Sequence, residues 1–356
     1  LRGEKYGSLP ENKRIGADSM GDQSKDIILS IRGMSKSFGR NRVLDHINLD
    51  VRKGTVMGLM GENGAGKSTM MKCLFGTYQK DEGTIYLDGK EVNFSGPKDA
   101  LENGVAMVHQ ELNQCLERSV VDNMFLGRYP KNSVGVIDEG RMKKETSDLF
   151  RKLGITVDLT QPMKKMSVSQ RQMCEIAKAI SHDAKIIIFD EPSAALTETE
   201  IEQLFKIIRD LRSQGMGIVY ISHRMDEIKV ITDRVTVMRD GTYVGTLITK
   251  ESTKDDIINM MVGRVIYEDP KEHSMVAPDA PVVLKVEHLN AGKMVQDVSF
   301  ELRKGEILGF SGLMGAGRTE TARALFGADP KQSGKISIRG KDGQLREVTI
   351  NSPQDA

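Results

Sequence analysis

Apolar runs and amphipathic segments alternate along the first two thirds of the chain, and they predict buried strands and surface helices. The stretches "TVMGLM" and "AKIIIF" are short, continuous apolar runs, which is typical of central parallel strands. After "MSVSQ", apolar residues recur at spacings of three and four, which predicts a helix whose buried stripe is Met173, Ile176, Ala177 and Ile180. The segment "EGRMKKETSDLFRKLGI" also has helical spacing. The pattern indicates an α/β fold.

The pattern occurs a second time in the chain. "VLDHINLDVRKGTVMGLMGENGAGKSTMMKCLFGTYQKDEGTIYLDG" matches "VQDVSFELRKGEILGFSGLMGAGRTETARALFGADPKQSGKISIRG", with Gly66 opposite Gly317 and Phe75 opposite Phe326 at an offset of 251. The offset then slips by five, and "SGPKDA" matches "NSPQDA" at the end of the chain. The sequence therefore predicts an internal repeat, with one complete domain and the opening part of a second.

Four segments follow from this repeat. Residues 1–25 are polar and lack an apolar region, so we expect a disordered leader or an expression remnant and no secretory signal. Residues 26–267 form the first domain, and residues 283–356 are the beginning of the second. Residues 268–282 carry prolines and no clear periodicity, which predicts a linker. A partial second domain is expected to be only marginally stable without its remaining elements.

Composition narrows the class of protein. The 51 Lys and Arg residues nearly balance the 50 Asp and Glu residues, so the chain lacks the broad positive field that holds nucleic acid, and no nucleic-acid partner is expected. No apolar run approaches the roughly 20 residues of a membrane-spanning helix. Cys73, Cys115 and Cys174 have no metal-type spacing, and we expect all three to be reduced packing residues.

The strongest motif joins the strand "TVMGLM" to the helix that follows it. "GENGAGKST" fits the pattern G-x-x-x-x-G-K-[ST] in its required strand–loop–helix context, and a plain tight turn is a poor alternative. In such a loop, backbone N–H groups surround phosphates, Lys67 reaches the β- and γ-phosphates, and Ser68 can ligate Mg²⁺. The predicted nucleotide-binding residues here are Gly61, Glu62, Asn63, Gly64, Ala65, Gly66, Lys67, Ser68 and Thr69.

An acidic pair ends the strand "AKIIIF". Asp190 and Glu191 lie at its carboxyl end, where open α/β sheets place their sites. Beside a phosphate loop, Asp190 is expected to bind the Mg²⁺ shell, and Glu191 to orient or deprotonate the attacking water. Exposed acidic pairs after strands are common, so without that loop the pair would be as compatible with a purely structural role as with a catalytic one.

The segment before this strand resembles the signature of the ATP-binding-cassette (ABC) ATPases. Their LSGGQ motif has its counterpart in "MSVSQ", some 20 residues before Asp190. The resemblance implies that the signature residues contact ATP held by an opposing cassette. These residues are Ser167, Val168, Ser169 and Gln170. On its own the segment would be an ordinary N-capped helix.

Other residues follow in the order of the same family. The resemblance makes Gln110 in "MVHQE" the Q-loop glutamine, a further Mg²⁺ contact, and His223 in "IVYISHRMDE" the switch histidine. Phe38 in "SKSFG" has the position of the aromatic residue that stacks on adenine. The D-loop comprises Ser193, Ala194, Ala195 and Leu196. The expected catalytic residues are Glu191, His223 and Gln110.

The resemblance covers residues 27–356 and is greatest to double-cassette ATPases of bacterial monosaccharide importers, of the ribose, xylose, galactose or methyl-galactoside type. It implies a RecA-like parallel-sheet core with an antiparallel β subdomain and a helical subdomain at about residues 112–180. It also implies an ATPase that uses ATP and Mg²⁺ at the cytoplasmic face of the inner membrane. The partners would be membrane sugar permease subunits and, indirectly, a periplasmic sugar-binding protein.

The second glycine loop, "GLMGAGRTE", is an altered copy of the first. Arg318 replaces Lys67, and Glu320 adds a negative charge to the first turn of the helix. We expect a nucleotide-competent but catalytically weak site, or else a structural relic. Its residues are Gly312, Gly315, Gly317, Arg318 and Thr319. The chain is expected to bind ATP through its first cassette and to hydrolyse it slowly unless intact cassettes homodimerise.

Three other readings compete with the importer. A double-cassette factor acting on ribosomes or nucleic acid would have a long basic linker, and here the linker is short and contains proline. A DNA-repair or chromosome ATPase would need a coiled coil or paired cysteines between Gln110 and Ser167, and that interval has neither. A non-catalytic regulatory cassette is disfavoured by the presence of Lys67, Glu191 and His223.

Overall fold

The computed structural model describes residues 26–263, 276–277, 279–312 and 315–356. The predicted leader at residues 1–25 and most of the predicted linker at residues 268–282 lie outside these ranges. The chain divides into two compact units, Leu1–Ile266 and Tyr267–Ala356, which are described separately below. None of the helices in the described ranges is long and apolar enough to cross a membrane.

The first unit is built on a ten-stranded sheet in the order β5-β4-β1-β2-β10-β9-β3-β8-β7-β6. Its strands are β1 (Ile27–Phe38), β2 (Asn41–Arg52), β3 (Val56–Met60), β4 (Glu82–Leu87), β5 (Lys90–Val92), β6 (Val105–Val108), β7 (Ile186–Asp190), β8 (Gly217–Ile221), β9 (Arg234–Arg239) and β10 (Thr242–Ile248). Strands β9, β3, β8, β7 and β6 run parallel. Strands β2, β1, β4 and β5 pair antiparallel. This arrangement confirms the predicted parallel core with an antiparallel subdomain.

The predicted central strands are buried on both faces. Every residue of β3 and of β7 is buried. Side chains alternate along a strand, so Val56 and Met60 pack into one hydrophobic cluster while Met57 and Leu59 pack into the other. The continuous apolar runs therefore reflect a sheet with a core on each side.

Helices cover both faces of this sheet. They are α1 (Lys67–Leu74), α2 (Pro97–Glu102), α3 (Val120–Met124), α4 (Glu139–Leu153), α5 (Val168–Ile180), α6 (Glu198–Ser213), α7 (Met225–Ile231) and α8 (Lys254–Val262). Helix α5 begins after Ser167, whose Oγ accepts a hydrogen bond from the backbone N–H of Gln170. Helices α3, α4 and α5 lie within residues 112–180, where a helical subdomain is expected. Of the predicted stripe on α5, Met173, Ile176 and Ala177 are buried, whereas Ile180, at the end of the helix, is only half-buried.

The packing prediction for the cysteines is wrong in one case. Cys73 and Cys174 are buried, whereas Cys115 is exposed. Cys115 lies in the loop between β6 and α3, where its backbone N–H donates to Oδ1 of Asn123 at 2.8 Å. The Asn123 side chain holds the backbone of this loop, and the exposed Cys115 thiol does not pack into the core.

The second unit has a four-stranded antiparallel sheet in the order β12-β11-β13-β14. Its elements are β11 (Val282–Ala291), β12 (Val295–Arg303), α9 (Arg318–Leu325), β13 (Ser333–Arg339) and β14 (Leu345–Glu347). Helix α9 begins and ends 251 residues after α1, the same offset as in the sequence repeat. The described residues 306–312, which match β3, are not in a strand, and Ile307 is 93% exposed. The strands that flank β3, which are β8 and β9, have no counterpart in the described part of this unit.

Candidate functional site

A cleft of about 610 Å³ opens at the carboxyl ends of the parallel strands in the first unit. It brings together the glycine loop after β3, the residue after β7 and the loop after β8. The lining residues are Val43, Asn63, Gly64, Ala65, Gly66, Lys67, Ser68, Thr69, Gln110, Glu191 and His223. Most of the predicted phosphate loop and all three predicted catalytic residues therefore line one cleft.

The glycine loop is pressed closely against neighbouring backbone. A Cβ on Gly61 would lie 2.3 Å from the carbonyl oxygen of Met238. Gly66 has a φ of 93°, and a Cβ there would lie 2.6 Å from Cδ2 of Leu44. These glycines are thus required by packing as well as by conformation, because any side chain would push the loop away from the β2 strand and from β9.

Lys67 opens helix α1 and is 8% exposed. Its Nζ donates hydrogen bonds to the carbonyl oxygens of Gly61 at 2.7 Å and Glu62 at 3.0 Å. Burial lowers the pKa of the Lys67 ammonium, and the nearby carboxylates of Glu191 and Asp190 act in the opposite direction. A buried ammonium at a helix N-terminus favours an anion beside it.

Asp190 ends strand β7 and is 4% exposed. Burial raises the pKa of its carboxyl group, and a hydrogen bond from the Ser68 side chain partly opposes that shift. Carboxylate and hydroxyl oxygens are ligands that Mg²⁺ prefers, and Mg²⁺ usually takes few protein ligands and keeps waters or phosphates. No group of three or more His, Cys, Asp or Glu side chains in the described ranges could hold a metal. Ser68 and Asp190 offer one hydroxyl and one carboxylate oxygen, a donor set that fits a Mg²⁺ whose remaining ligands are water or phosphate oxygens.

Glu191 follows β7 with a left-handed backbone, at a φ of 49°. Its backbone N–H donates to the carbonyl oxygen of Ile221 at 3.0 Å. Nδ1 of His223 lies 3.4 Å from Oε1 of Glu191, and Nε2 of Gln110 donates to Oε2 at 3.4 Å. A non-glycine residue in this region costs of order 1–3 kcal/mol, and such strain is concentrated at functional sites. The structure thus brings the three predicted catalytic side chains together.

Other predicted residues lie around the cleft without lining it. Phe38 ends β1, is 44% exposed and makes an edge contact with Tyr78 at a centroid distance of 5.2 Å. Gly61, Glu62 and Asp190 flank the lining residues. The signature residues occupy the N-terminus of α5, where Oγ of Ser167 and Oγ of Ser169 are 3.0 Å apart. Among the described residues that line the cleft, none belongs to the signature.

The D-loop connects β7 to α6. Ser193 and Leu196 are buried, Ala194 is exposed and Ala195 is half-buried. Oγ of Ser193 donates to the Glu227 carboxylate at 2.8 Å. Sequence reasoning missed Glu227, and the available signal was an acid three residues after Arg224 on the apolar face of α7, beside Ile228 and Ile231. It also missed Val43, which no motif marks.

Two glycines of the second loop have the same left-handed backbone as their counterparts Gly64 and Gly66 in the first. Gly315 and Gly317 have φ values of 81° and 80°, and Gly317 precedes α9 as Gly66 precedes α1. A Cβ on Gly312 would lie 3.1 Å from Cβ of Ala316. Arg318 and Thr319 are exposed, whereas Lys67 is buried, because the apolar strand that supports the first loop has no folded equivalent in the described residues 306–312.

Comparison with a protein-family model finds one matching segment in each of the two units. A family model described as "ABC transporter" matches residues 44–194 and 295–354. The chain is 53% identical over 319 residues to the galactose/methyl galactoside import ATP-binding protein MglA of Treponema denticola, covering 89% of this chain and 63% of that protein. It is 49% identical over 329 residues to the ribose import ATP-binding protein RbsA of Streptococcus agalactiae, covering 92% and 65%. The chain thus spans less than two thirds of the length of these relatives.

Solved structures share the fold. The ADP conformation of an ATP-binding cassette of an ABC transporter has a TM-score of 0.59 at 23% identity, over 67% of this chain and 99% of that one. A dimeric cassette in a post-hydrolysis state with ADP and Pi has a TM-score of 0.56 at 20% identity, over 63% and 100%. At these identities the likeness concerns the fold alone.

Proposed function

This chain belongs to the ABC transporter family, and from that premise we propose that it is the ATP-binding and ATP-hydrolysing subunit of a bacterial monosaccharide importer. The observation that carries the proposal is the cleft of about 610 Å³, in which the phosphate loop faces Gln110, Glu191 and His223. A phosphate loop alone would support only nucleotide binding. The carboxylate beside it, held between an imidazole and an amide, supplies the base that hydrolysis requires.

The proposed roles follow from the position of each side chain. Backbone N–H groups of the loop and the Lys67 ammonium bind the phosphates of ATP. Glu191 accepts a proton from the attacking water, and its carboxylate is oriented by His223 and Gln110 at 3.4 Å on either side. Phe38 is proposed to stack on the adenine.

Mg²⁺ is proposed to bind with ATP, and when bound it would neutralise charge on the β- and γ-phosphates. Ser68 and Asp190 would hold it, since their oxygens already meet through a hydrogen bond, with Gln110 nearby. The protein's own contribution is to keep the Asp190 carboxylate buried and correctly oriented.

The sugar class and the partners are proposed from relatives. MglA of Treponema denticola and RbsA of Streptococcus agalactiae are, by name, import ATP-binding proteins for galactose or methyl galactoside and for ribose. We propose a cargo of this class, with xylose as a further member. The chain would act at the cytoplasmic face of the inner membrane with separate permease subunits and, through them, a periplasmic sugar-binding protein. These relatives favour import over the ribosome-acting alternative.

The proposal also concerns how a complete site forms. The residues that line the cleft do not include the signature at the start of α5. A second cassette would supply its own signature to the γ-phosphate, using the Ser169 hydroxyl and the positive end of the helix dipole. In a homodimer of this chain, the two first cassettes could do so reciprocally.

The test is ATP hydrolysis by the whole chain in the presence of membrane vesicles that contain a galactoside or ribose permease. We expect the vesicles and the matching sugar-binding protein with sugar to raise the hydrolysis rate, and ribosomes to leave it unchanged. Stimulation by ribosomes, or an ATP hydrolysis rate that no permease of either class raises, would contradict the sugar-importer assignment. Absence of ATP binding would contradict the cassette function itself.

A further inference from the structure

One buried carboxylate lies next to the cleft without lining it. Glu227 of α7 is 4% exposed. Its Oε2 accepts hydrogen bonds from three hydroxyls: Oγ of Ser193 at 2.8 Å, the Tyr220 hydroxyl at 2.9 Å and Oγ of Ser222 at 2.9 Å. Burying a carboxylate costs free energy unless hydrogen bonds replace its lost hydration, and here three hydroxyls donate to one oxygen. These hydrogen bonds fix the position of the Glu227 side chain.

The three donors come from three parts of the first unit. Ser193 lies in the D-loop, two residues after Glu191. Ser222 directly precedes His223. Tyr220 is a fully buried residue of strand β8 and belongs to the sheet. One oxygen of Glu227 therefore ties the loop that carries Glu191 to the loop that carries His223, and it anchors both to the core.

Arg224 forms further polar contacts between the same two loops. Its NH1 lies 2.8 Å from Oε1 of Glu227, and its NH2 donates to Oε1 of Glu198 at 3.3 Å. Glu198 is the first residue of α6, two residues after the end of the D-loop. The backbone N–H of Arg224 donates to Oγ of Ser222 at 3.0 Å. The region on both sides of His223 is thus fixed relative to the segment after Glu191.

We propose that Glu227 is a positioning residue for hydrolysis: it holds the D-loop and the loop that carries His223 so that the Glu191 carboxylate and the His223 imidazole keep their separation in the cleft. The inference rests on the proposed ATPase function. Glu227 makes no contact with the cleft itself, so its influence passes through Ser193 and Ser222. Small displacements of positioned catalytic groups can cost about 100-fold in rate, and ATP binding at the phosphate loop would be unaffected.

Three substitutions, each of which removes one hydroxyl, distinguish a positioning role of Glu227 from a role in the stability of the fold alone. Ser193→Ala, Ser222→Ala and Tyr220→Phe each remove one hydrogen bond to the same oxygen of Glu227. We expect Ser193→Ala and Ser222→Ala to lower kcat for ATP by about 10- to 100-fold with little change in KM. Tyr220→Phe removes the bond to the sheet and leaves both loops attached, so we expect wild-type kcat from this matched control.

Variants at Glu227 supply the second comparison. Glu227→Gln keeps the shape and one acceptor oxygen, whereas Glu227→Ala removes every bond. We expect kcat to fall in the order wild type, Glu227→Gln, Glu227→Ala, with ATP affinity retained in all folded variants. Equal kcat in the Ser193→Ala, Ser222→Ala and Tyr220→Phe chains would overturn the proposal, as would losses confined to KM.

Backbone amide hydrogen exchange gives a readout that does not depend on ATPase activity. The Glu191 amide, bonded to Ile221, and the Arg224 amide, bonded to Ser222, report the two loops. Faster exchange at both amides in Ser193→Ala and Glu227→Gln, but not in Tyr220→Phe, would support the inference. Unchanged exchange at both would overturn it. An inactive wild-type chain would count against the proposed ATPase, while the exchange measurements would still decide whether Glu227 positions the loops.

Discussion

The imidazole Nδ1 of His223 lies 3.4 Å from Oε1 of Glu191, on the opposite side of the carboxylate from the Gln110 amide at 3.4 Å. These residues are distant in sequence and come from the ends of three adjacent parallel strands, β8, β7 and β6. The carboxyl ends of such strands meet at one edge of a sheet, so the fold itself creates this convergence. Two side chains of the protein therefore orient the Glu191 carboxylate.

The first prediction concerns Glu191→Gln. The amide keeps the size of the side chain and can still contact His223, but it cannot accept a proton from water. We expect hydrolysis to fall by at least about 100-fold, the scale at which general bases contribute, while ATP binding is retained. Binding is measured with a fluorescent ATP analogue, and turnover by phosphate release. Turnover that survives would show that another group is the base.

The second prediction compares the two glycine loops. Lys67→Ala removes a buried ammonium from the phosphate loop, whereas Arg318→Ala removes an exposed guanidinium from the altered loop. We expect Lys67→Ala to weaken ATP binding by at least about tenfold, the equivalent of one charge-assisted hydrogen bond. Arg318→Ala is the matched control and should leave the affinity of the first cleft unchanged. Equal losses in the two variants would show that both loops bind ATP.

The third prediction concerns how burial of the Asp190 carboxylate lowers the free energy of unfolding. Burial raises the pKa of this carboxyl group above 3.8, so the buried charged form destabilises the fold at neutral pH, and the cost disappears as the pH falls through that raised pKa. Asp190→Asn should therefore raise the melting temperature at pH about 7.5 and raise it progressively less as the pH falls towards the ordinary carboxyl pKa of 3.8, while it abolishes Mg²⁺-dependent turnover. Thermal unfolding without nucleotide measures this. A lower melting temperature at neutral pH would contradict the prediction.

The fourth prediction concerns thiol reactivity. Burial raises the pKa of Cys73 to about 11 and of Cys174 to about 12, whereas Cys115 is exposed. The thiolate is the reactive form, so at pH 8 about one in a thousand Cys73 thiols would be ionised even if reagent could enter. We expect a disulfide reagent to modify Cys115 alone in the folded chain and all three cysteines after unfolding. Cys115→Ser is the control, and it should abolish the fast reaction.

Residue patterns predicted local elements of the first unit, and most of the residues that they mark around the phosphate loop line one cleft. The apolar runs gave β3 and β7, the spacing after "MSVSQ" gave α5, and the strand–loop–helix motif located the phosphate loop. These features depend on short segments, where burial and periodicity are visible in the letters. The packing of Gly61 and Gly66 against Met238 and Leu44 could not be predicted in the same way, because it depends on residues far apart in the chain.

Two errors have the same physical origin. The cysteine pattern predicts Cys115 in the core, and no sequence motif marks Glu227. Residue type suggests burial for a cysteine and exposure for a glutamate, but the tertiary environment decided otherwise in both cases. The three hydroxyls around Glu227 and the guanidinium of Arg224 offset the cost of burying its carboxylate beside apolar residues of α7. Such compensation involves partners from different elements, which a single-sequence pattern does not specify.

The last prediction is that hydrolysis requires two copies of the first cassette. The signature at Ser169 is not among the residues that line the cleft, so the γ-phosphate bound at Lys67 would meet a signature only from another cassette. The specific rate of the wild-type chain should therefore rise with protein concentration until the dimer is formed. Sizing with ATP and the Glu191→Gln chain, which is expected to retain ATP, should show that dimer.

Mixing two inactive variants makes this prediction sharper. Lys67→Ala disables the phosphate loop and keeps the signature, whereas Ser169→Glu keeps the phosphate loop and repels the phosphates from the signature. In a symmetric dimer each mixed pair contains one intact site, so an equal mixture should recover about a quarter of the wild-type rate. Each variant alone should stay inactive. A specific rate that is independent of concentration, together with no recovery on mixing, would show that one cassette hydrolyses ATP by itself.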